Sequence, residues 1–326
     1  MILYLLRRIT NYVILTVIAS CGAYMLASMT MNPAYPLQQR HPRPPQSTID
    51  SLLNSWGLNP DVPLIQRTAT WFLGVLHGDF GIGVNNHPVA DALFSRAGVS
   101  LQLLIVGSLL GAVLGVTLGV WGAVRQYRAS DQIVTYGSYF IIAMPTYVLA
   151  YVLMLIAILV NNALGFHLLA FVGPYSADQP EGFWPQVWDR LTHIILPTLV
   201  LTLGAAASYS RYQRSAMLDV LGSDYIRTAR AKGLQRGRAL VRHGVRVALI
   251  PMSTYFAYSF GLLVTGATIL EIVFSWHGMG ELSVTSIQKE DVNSIAGSTL
   301  FVAVLILCSS TLSEVLNAAL DPRVRR

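Results

Sequence analysis

The sequence predicts an all-α integral membrane protein with six transmembrane helices, and three observations predict it. Only 12% of its 326 residues are charged and 53% are hydrophobic. A soluble globule carries about 25% charged residues to cover its wet surface, so lipid must cover much of this one. Six stretches hold no Asp, Glu, Lys or Arg: Ile9–Thr30, Ala97–Val124, Gln132–Val160, Leu191–Ser210, Val247–Leu270 and Val292–Ser313. Each reaches the roughly 20 residues that cross about 30 Å of hydrocarbon at about 1.5 Å per residue. A mid-membrane charge costs at least about 2.5 kcal/mol, so chance does not explain six such gaps. None of the stretches alternates apolar and polar residues as a barrel strand would, and the spans are therefore helices.

Taken in order, Ile9–Thr30 follows Arg7 and Arg8 as a secretory signal would. Its charge-free run exceeds the 7–15 residues of a signal's apolar region, which makes it a retained first span. The segment from Met31 to Arg96 starts Pro-rich (Pro33, Pro36, Pro42, Pro44, Pro45). It then shows helical patterning over Thr48–Trp56, ended by Gly57, and over Pro63–Leu76, with Ile65, Phe72 and Leu76 on one face. This reads as a small external helical insertion. The resulting organisation is 1–30 for the N-terminal segment and first span, 31–96 for the external cap, and 97–326 for a core with the other five spans and a long loop over 211–246. In the second span Gly107, Gly111, Gly115 and Gly119 recur every four residues, a small-residue face for close helix packing, with pore lining as the alternative.

Pro145, Pro197 and Pro251 lie within or at the start of spans and remove backbone bonds; they read as static kinks, with flexing as the alternative. Tyr147, Tyr151, Ser208, Tyr255 and Tyr258 are candidate lining residues for a wet pathway, as are neighbours such as Tyr136 and Tyr139. Interfacial anchoring and helix–helix hydrogen bonding explain the same residues equally well. Glu271 and Glu314 stand at span ends, where the sequence places them within reach of water as anchors. Cys21 and Cys308 fall inside apolar runs and form no disulfide framework.

Orientation follows from the basic residues. Of the 22, sixteen lie on one side: Arg7, Arg8, Arg125, Arg128, the nine from Arg211 to Arg246, and Arg323, Arg325 and Arg326. Arg40, Arg43, Arg67, Arg96, Arg190 and Lys289 lie on the other. The positive-inside rule makes the first side cytoplasmic and places both termini there. The net charge of +6 is thereby an orientation signal, and no nucleic acid is needed to explain it.

The loop at 211–246 carries the most informative pattern. Ser223 or Asp224 is a natural N-cap, and Gly233 can take the left-handed conformation that ends a helix. About eight residues lie between, fewer than the 12–15 that are marginal for a free helix in water. Something else must hold it. Tyr225, Ile226 and Ala229 offer a narrow apolar strip, while Arg227, Arg230 and Lys232 project as a basic face. Spacing alone fits a partner protein and anionic headgroups equally.

The run DYIRTARAKGL, followed by His243, Arg246 and Pro251, resembles the cytoplasmic EAA loop of type I ABC importer permeases, and within them the dipeptide/oligopeptide permease family. Gly233 stands at that loop's glycine and Ala229 at its second alanine; Arg227 and Thr228 replace Glu and Ala, as in the peptide branch. The similarity runs nearly end to end. It includes Tyr4 to Arg8, Trp71 to Gly81 with Gly78-Asp79-Phe80-Gly81, and Pro88-Val89. It continues through His193, Leu196-Pro197, Arg211, Arg214, Ser215, Met217, Glu271 to Gly280 and Leu320 to Arg323. It departs at Asn32 to Pro36, where a more acidic sequence is usual, at His277 in place of Pro, and at Ala97-Gly98 in place of Leu-Pro. These departures touch the external side.

The resemblance implies a pore-forming subunit of the bacterial inner membrane, paired with a homologous second permease. It also implies cytoplasmic ABC ATPases that bind ATP and Mg, and an external binding protein that delivers peptides. It makes Asp224, Tyr225, Arg227, Thr228, Ala229, Arg230, Ala231, Lys232, Gly233 and Leu234 a coupling helix that fits a groove on one ATPase. Families similar to this one also move nickel, glutathione or sugars. The residues themselves agree: Lys232 and Lys289, the two lysines, follow no glycine, so a phosphate-cradling Gly-x-x-x-x-Gly-Lys loop is absent. No catalytic constellation and no metal-ligand spacing appear among the seven histidines. The span centres hold no acid or base for a proton relay, which argues against a stand-alone carrier, the rival class together with a scaffold that moves nothing.

Overall fold

A computed structural model describes residues 2–320, without the side chains of residues 2–5, 236, 241–243, 257, 258, 260–263, 265 and 266. In chain order the helices are α1 (Ile2–Thr30), α2 (Tyr35–Gln38), α3 (Gln46–Ser55), α4 (Leu64–Leu76), α5 (Val89–Val124), α6 (Ala129–Ala143), α7 (Thr146–Leu164) and α8 (Phe183–Leu221). They continue with α9 (Asp224–Ala231), α10 (Arg236–Ala239), a π-helical turn (Leu240–Val245), α11 (Arg246–Ala248), α12 (Ile250–Val273), α13 (Met279–Gln288) and α14 (Val292–Leu320). No strand occurs among the described residues beyond an isolated Ile82–Pro88 bridge. Five segments among the described residues are long and apolar enough to span a membrane, namely Leu6–Gln38, α5, α7, α8 and α14. Helix α12, 24 residues long, takes up the remaining expected stretch from Ile250 on.

The third expected span is two helices. Met144 takes an extended backbone (φ −85°, ψ 126°) between α6 and α7, ahead of Pro145. A proline ring clashes with a helical residue before it, so the sequence breaks the helix where a kink was expected. Pro197 sits inside α8 without ending it. Pro251 falls in the first turn of α12, where its missing donor is an orphan anyway.

The described chain divides into two compact units, Gln102–Trp276 with the segment from Cys308 to Leu320, and Ile2–Leu101 with His277–Leu307. In the first, α6, α7 and α12 pack on α8. The glycine face of α5 also meets α8. A Cβ added at Gly107 would lie 2.8 Å from Leu201 Cβ, at Gly111 2.5 Å from Ala205 Cβ, and at Gly119 2.8 Å from Gln213 Cβ. Carbons ordinarily rest about 3.5–4.0 Å apart, so these glycines are packing residues. The paired numbers rise together, so the two helices run parallel, as the second and fourth crossings of an alternating chain must. Glu271 departs from expectation: it is 1% exposed. The chain turns back after α12, with the Trp276 amide donating to Glu271 O over 2.8 Å, and the acid is enclosed there.

In the second unit the segment between α1 and α5 forms its own apolar core around Tyr24, Leu37, Ile49, Trp56 and Trp71, together with Val292 and Ala296 of α14. Tyr24 stacks on Trp71 with ring centres 5.0 Å apart. Gly57 is left-handed (φ +72°) after α3, as expected. On α4, however, Ile65 and Leu76 are exposed. The buried side is Thr68 and Trp71 with Phe72 and Val75, the i, i+3, i+4, i+7 set of a helix face. Asp291 and Asn293 tie the preceding loop to α14. Asp291 Oδ2 accepts from the Val84 amide (3.1 Å), and Asn293 Nδ2 donates to Trp56 O (3.0 Å) and Ile82 O (2.9 Å).

Candidate functional site

Helix α9 has the expected length, eight residues. Ser223 is extended at its N-terminus, but its hydroxyl donates back to Val220 O (2.6 Å) and makes no cap bond. The C-terminus closes through Gly233 (φ +87°). Its amide reaches Arg230 O (3.0 Å) and the Leu234 amide reaches Ala229 O (3.3 Å), the pair of bonds that satisfies a helix's last carbonyls. Ile226 is 4% exposed and packs with Met217, Val220, Leu240, Ala248 and Ala123. One buried anchor and one closed end therefore hold a helix too short to persist alone.

The anchor leaves a defined outward face. Tyr225, Arg227, Thr228, Arg230, Ala231, Lys232 and Gly233 are exposed, Ala229 and Leu234 half-buried. Asp224 pairs with Arg227 at 3.7 Å, both exposed, and such a pair contributes no more than about 1 kcal/mol. The apolar strip read from the sequence is thus split: Ile226 turns into the chain's own core and Tyr225 outward.

Further along the same fold, a cavity of about 600 Å³ opens between α5, α6, α8 and α12, lined by Thr135, Tyr139, Ser208, Arg211, Tyr212 and Tyr255 among others. A smaller one of about 180 Å³ reaches Met144 and Thr146 at the break between α6 and α7. Ser208 and Tyr255 line both. Tyr147 and Tyr151 are exposed on α7 and line neither. The Tyr258 and His243 side chains lie outside the described residues, as does the closing motif beyond Leu320. Tyr212 stacks on Tyr255 at 4.6 Å, and Tyr209 meets Tyr255 edge-on at 5.4 Å.

One wall of the larger cavity is fixed by an ion pair that the sequence reading did not single out. Arg214 donates through Nε to Asp131 Oδ1 (2.6 Å) and through Nη2 to Oδ2 (2.7 Å). The Tyr127 amide also donates to Oδ2 (2.9 Å). Asp131 is 2% exposed. The hydrogen bonds from Arg214 hold its carboxyl below the usual carboxylate range, against burial, which acts upward, with the Tyr127 amide assisting. The signal was present in the sequence: Asp131 is the acid that directly precedes the third charge-free stretch, amid Arg125 and Arg128. Among the described residues no group of three or more His, Cys, Asp or Glu side chains could hold a metal.

Residues 115–326 match the family described as binding-protein-dependent transport system inner membrane component. The oligopeptide transport system permease protein OppB of Mycobacterium tuberculosis (strain ATCC 25618 / H37Rv) is 50% identical over 322 residues, 99% of this chain and 98% of that protein. The oligopeptide transport system permease protein AppB of Bacillus subtilis (strain 168) is 33% identical over 285 residues, 87% of each chain. The dipeptide transport system permease protein DppB of Escherichia coli (strain K12) is 32% identical over 287 residues, 84% of each.

Proposed function

The chain belongs to the binding-protein-dependent transport system inner membrane component family, and on that premise we propose that it is the pore-forming subunit of an ATP-driven peptide importer. It is a multi-pass membrane protein and a permease subunit of a transporter. The finer reading has a homologous second permease beside it, an external binding protein that hands over peptides, and separate cytoplasmic ATPases that bind ATP and Mg. Residues 1–30, 31–96 and 97–326 serve as first span, external cap and core, with both termini in the cytoplasm of a bacterial cell. Peptide cargo is favoured by the names of the relatives, and nickel, glutathione and oligosaccharides are the competing cargoes in an uptake assay.

The observation that carries this reading is the outward face of α9. Arg227, Arg230 and Lys232 stand clear of a helix pinned from behind by Ile226, an arrangement suited to insertion into a groove on an ATPase. ATP binding clamps two such ATPases, pulls on the coupling helices and rocks the helix bundles. This chain hydrolyses nothing itself.

The test replaces Cys21 and Cys308 and places single cysteines along Asp224–Leu234 in the assembled complex. Crosslinks to the ATPase are expected from positions 225, 227, 230 and 232 and not from 226. Labelling by lipid or solvent reagents alone refutes the assignment. Uptake by this chain alone, without ATP or partners, makes it a stand-alone carrier.

A further inference from the structure

We propose that the larger cavity is a binding site for the carboxylate end of a transported peptide, with Arg211 as its charged contact. The inference rests on the peptide-import reading and adds the chemical group recognised and the residue that recognises it.

Charge selects the ligand class. The cavity is lined by two guanidinium groups, Arg211 and Arg214. Arg214 is neutralised by the buried Asp131 through two hydrogen bonds. Arg211 is exposed, pairs with no carboxylate among the described residues, and lies with its guanidinium carbon 4.3 Å from the centre of the Tyr139 ring. An aromatic face steadies a guanidinium without occupying its N–H donors, which suit the two oxygens of a carboxylate. The surplus positive charge repels a peptide's ammonium end.

Shape and surface fit the rest of such a ligand. About 600 Å³ lies within the range of ligand-binding cavities, about 300–1,000 Å³. The stacked Tyr212–Tyr255 pair lines the same cavity, with Ser208 and Ser215. Rings and hydroxyls hold amide groups weakly and read no particular side chain. Ser208 and Tyr255 continue into the smaller cavity, so a peptide moving inward along α8 passes them on its way to Arg211. The terminal carboxylate is the group that peptides share whatever their side chains.

An anionic lipid headgroup offers the same charge, so the experiment separates the two. The complete complex, with ATPases, second permease and binding protein, is reconstituted in liposomes. ATP-dependent uptake is compared for one peptide as its free acid and as its C-terminal amide, in wild type, Arg211→Gln and Arg211→Lys. Co-purification of the subunits establishes assembly. The binding protein's own preference is common to all three, so the acid-to-amide uptake ratio isolates this cavity. Arg211→Gln is expected to lower that ratio about fivefold, the upper range for an ion pair open to water, and Arg211→Lys to restore most of it. An equal loss of both forms, or an unchanged ratio, overturns the site while peptide import stands. A ratio change seen in anionic lipid and lost in zwitterionic lipid assigns Arg211 to headgroups and overturns it too. No uptake of either form by wild type overturns the import reading itself.

Discussion

Removing both partners of the Asp131–Arg214 pair should cost clearly less than the two single losses added together. Removing one member of a buried pair strands the other and costs about 3–5 kcal/mol. Asp131 is 3% exposed and Arg214 24% exposed through their side chains, so water relieves part of the penalty. Arg214→Met is accordingly expected near the lower end, about 3 kcal/mol, because it leaves a carboxylate with only the Tyr127 amide and Thr135 for company. Asp131→Asn leaves the better-solvated partner and should cost about 2 kcal/mol. The double variant strands no charge and should cost less than the sum by about 2 kcal/mol, well beyond the 0.3–0.5 kcal/mol scatter of independent sites. Titration with a denaturing detergent in mixed micelles measures all four corners of the cycle. The pair also has a pH signature. A carboxyl held below its ordinary value of 3.8 contributes stability that is fully present above that value. This stability is lost as pH falls through the lower folded value. Asp131→Asn should remove that acid-side loss. Additive single effects, or an acid-side loss that persists in Asp131→Asn, refute the reasoning.

Two further outcomes follow from backbone geometry. At Gly233 an added Cβ meets nothing within 4 Å, so substitution costs only left-handed strain, about 1–2 kcal/mol. Gly233→Val should therefore weaken peptide-stimulated ATPase activity of the complex more than Gly233→Asn, and equal effects would show that the turn is not the reason. At Gly111 the clash with Ala205 is steric. Gly111→Leu should cost about 1–3 kcal/mol in thermal inactivation, partly rescued by Ala205→Gly, and failure of that rescue would refute the pairing.

The spans, helices α3 and α4, α9 and the glycine seam were legible because each rests on a local rule: charge exclusion, capping residues, or a repeat at a fixed interval. What escaped depends on partners distant in sequence. Ile226 looked like a docking residue because nothing local says that Met217 and Val220 will cover it. Glu271 looked wet because a span end usually is, yet the returning chain encloses it. On α4 apolarity pointed to Ile65 and Leu76, whereas the core chose Trp71, which stacks on Tyr24. Arg211 and Arg214 are indistinguishable as letters; only the fold neutralises one and leaves the other open to the cavity.

Helix α8 runs unbroken for 39 residues, about 58 Å of rod, and α9 leans on its far end through Ile226. About 30 Å separates Pro197 from Met217 along that rod. A tilt of about 6° around the proline therefore swings the end by about 3 Å, and Tyr209 and Tyr212 travel with it. The support of α9 and the wall of the larger cavity are one piece of backbone, so a tilt at one reaches the other along a single helix and needs no relay of side chains.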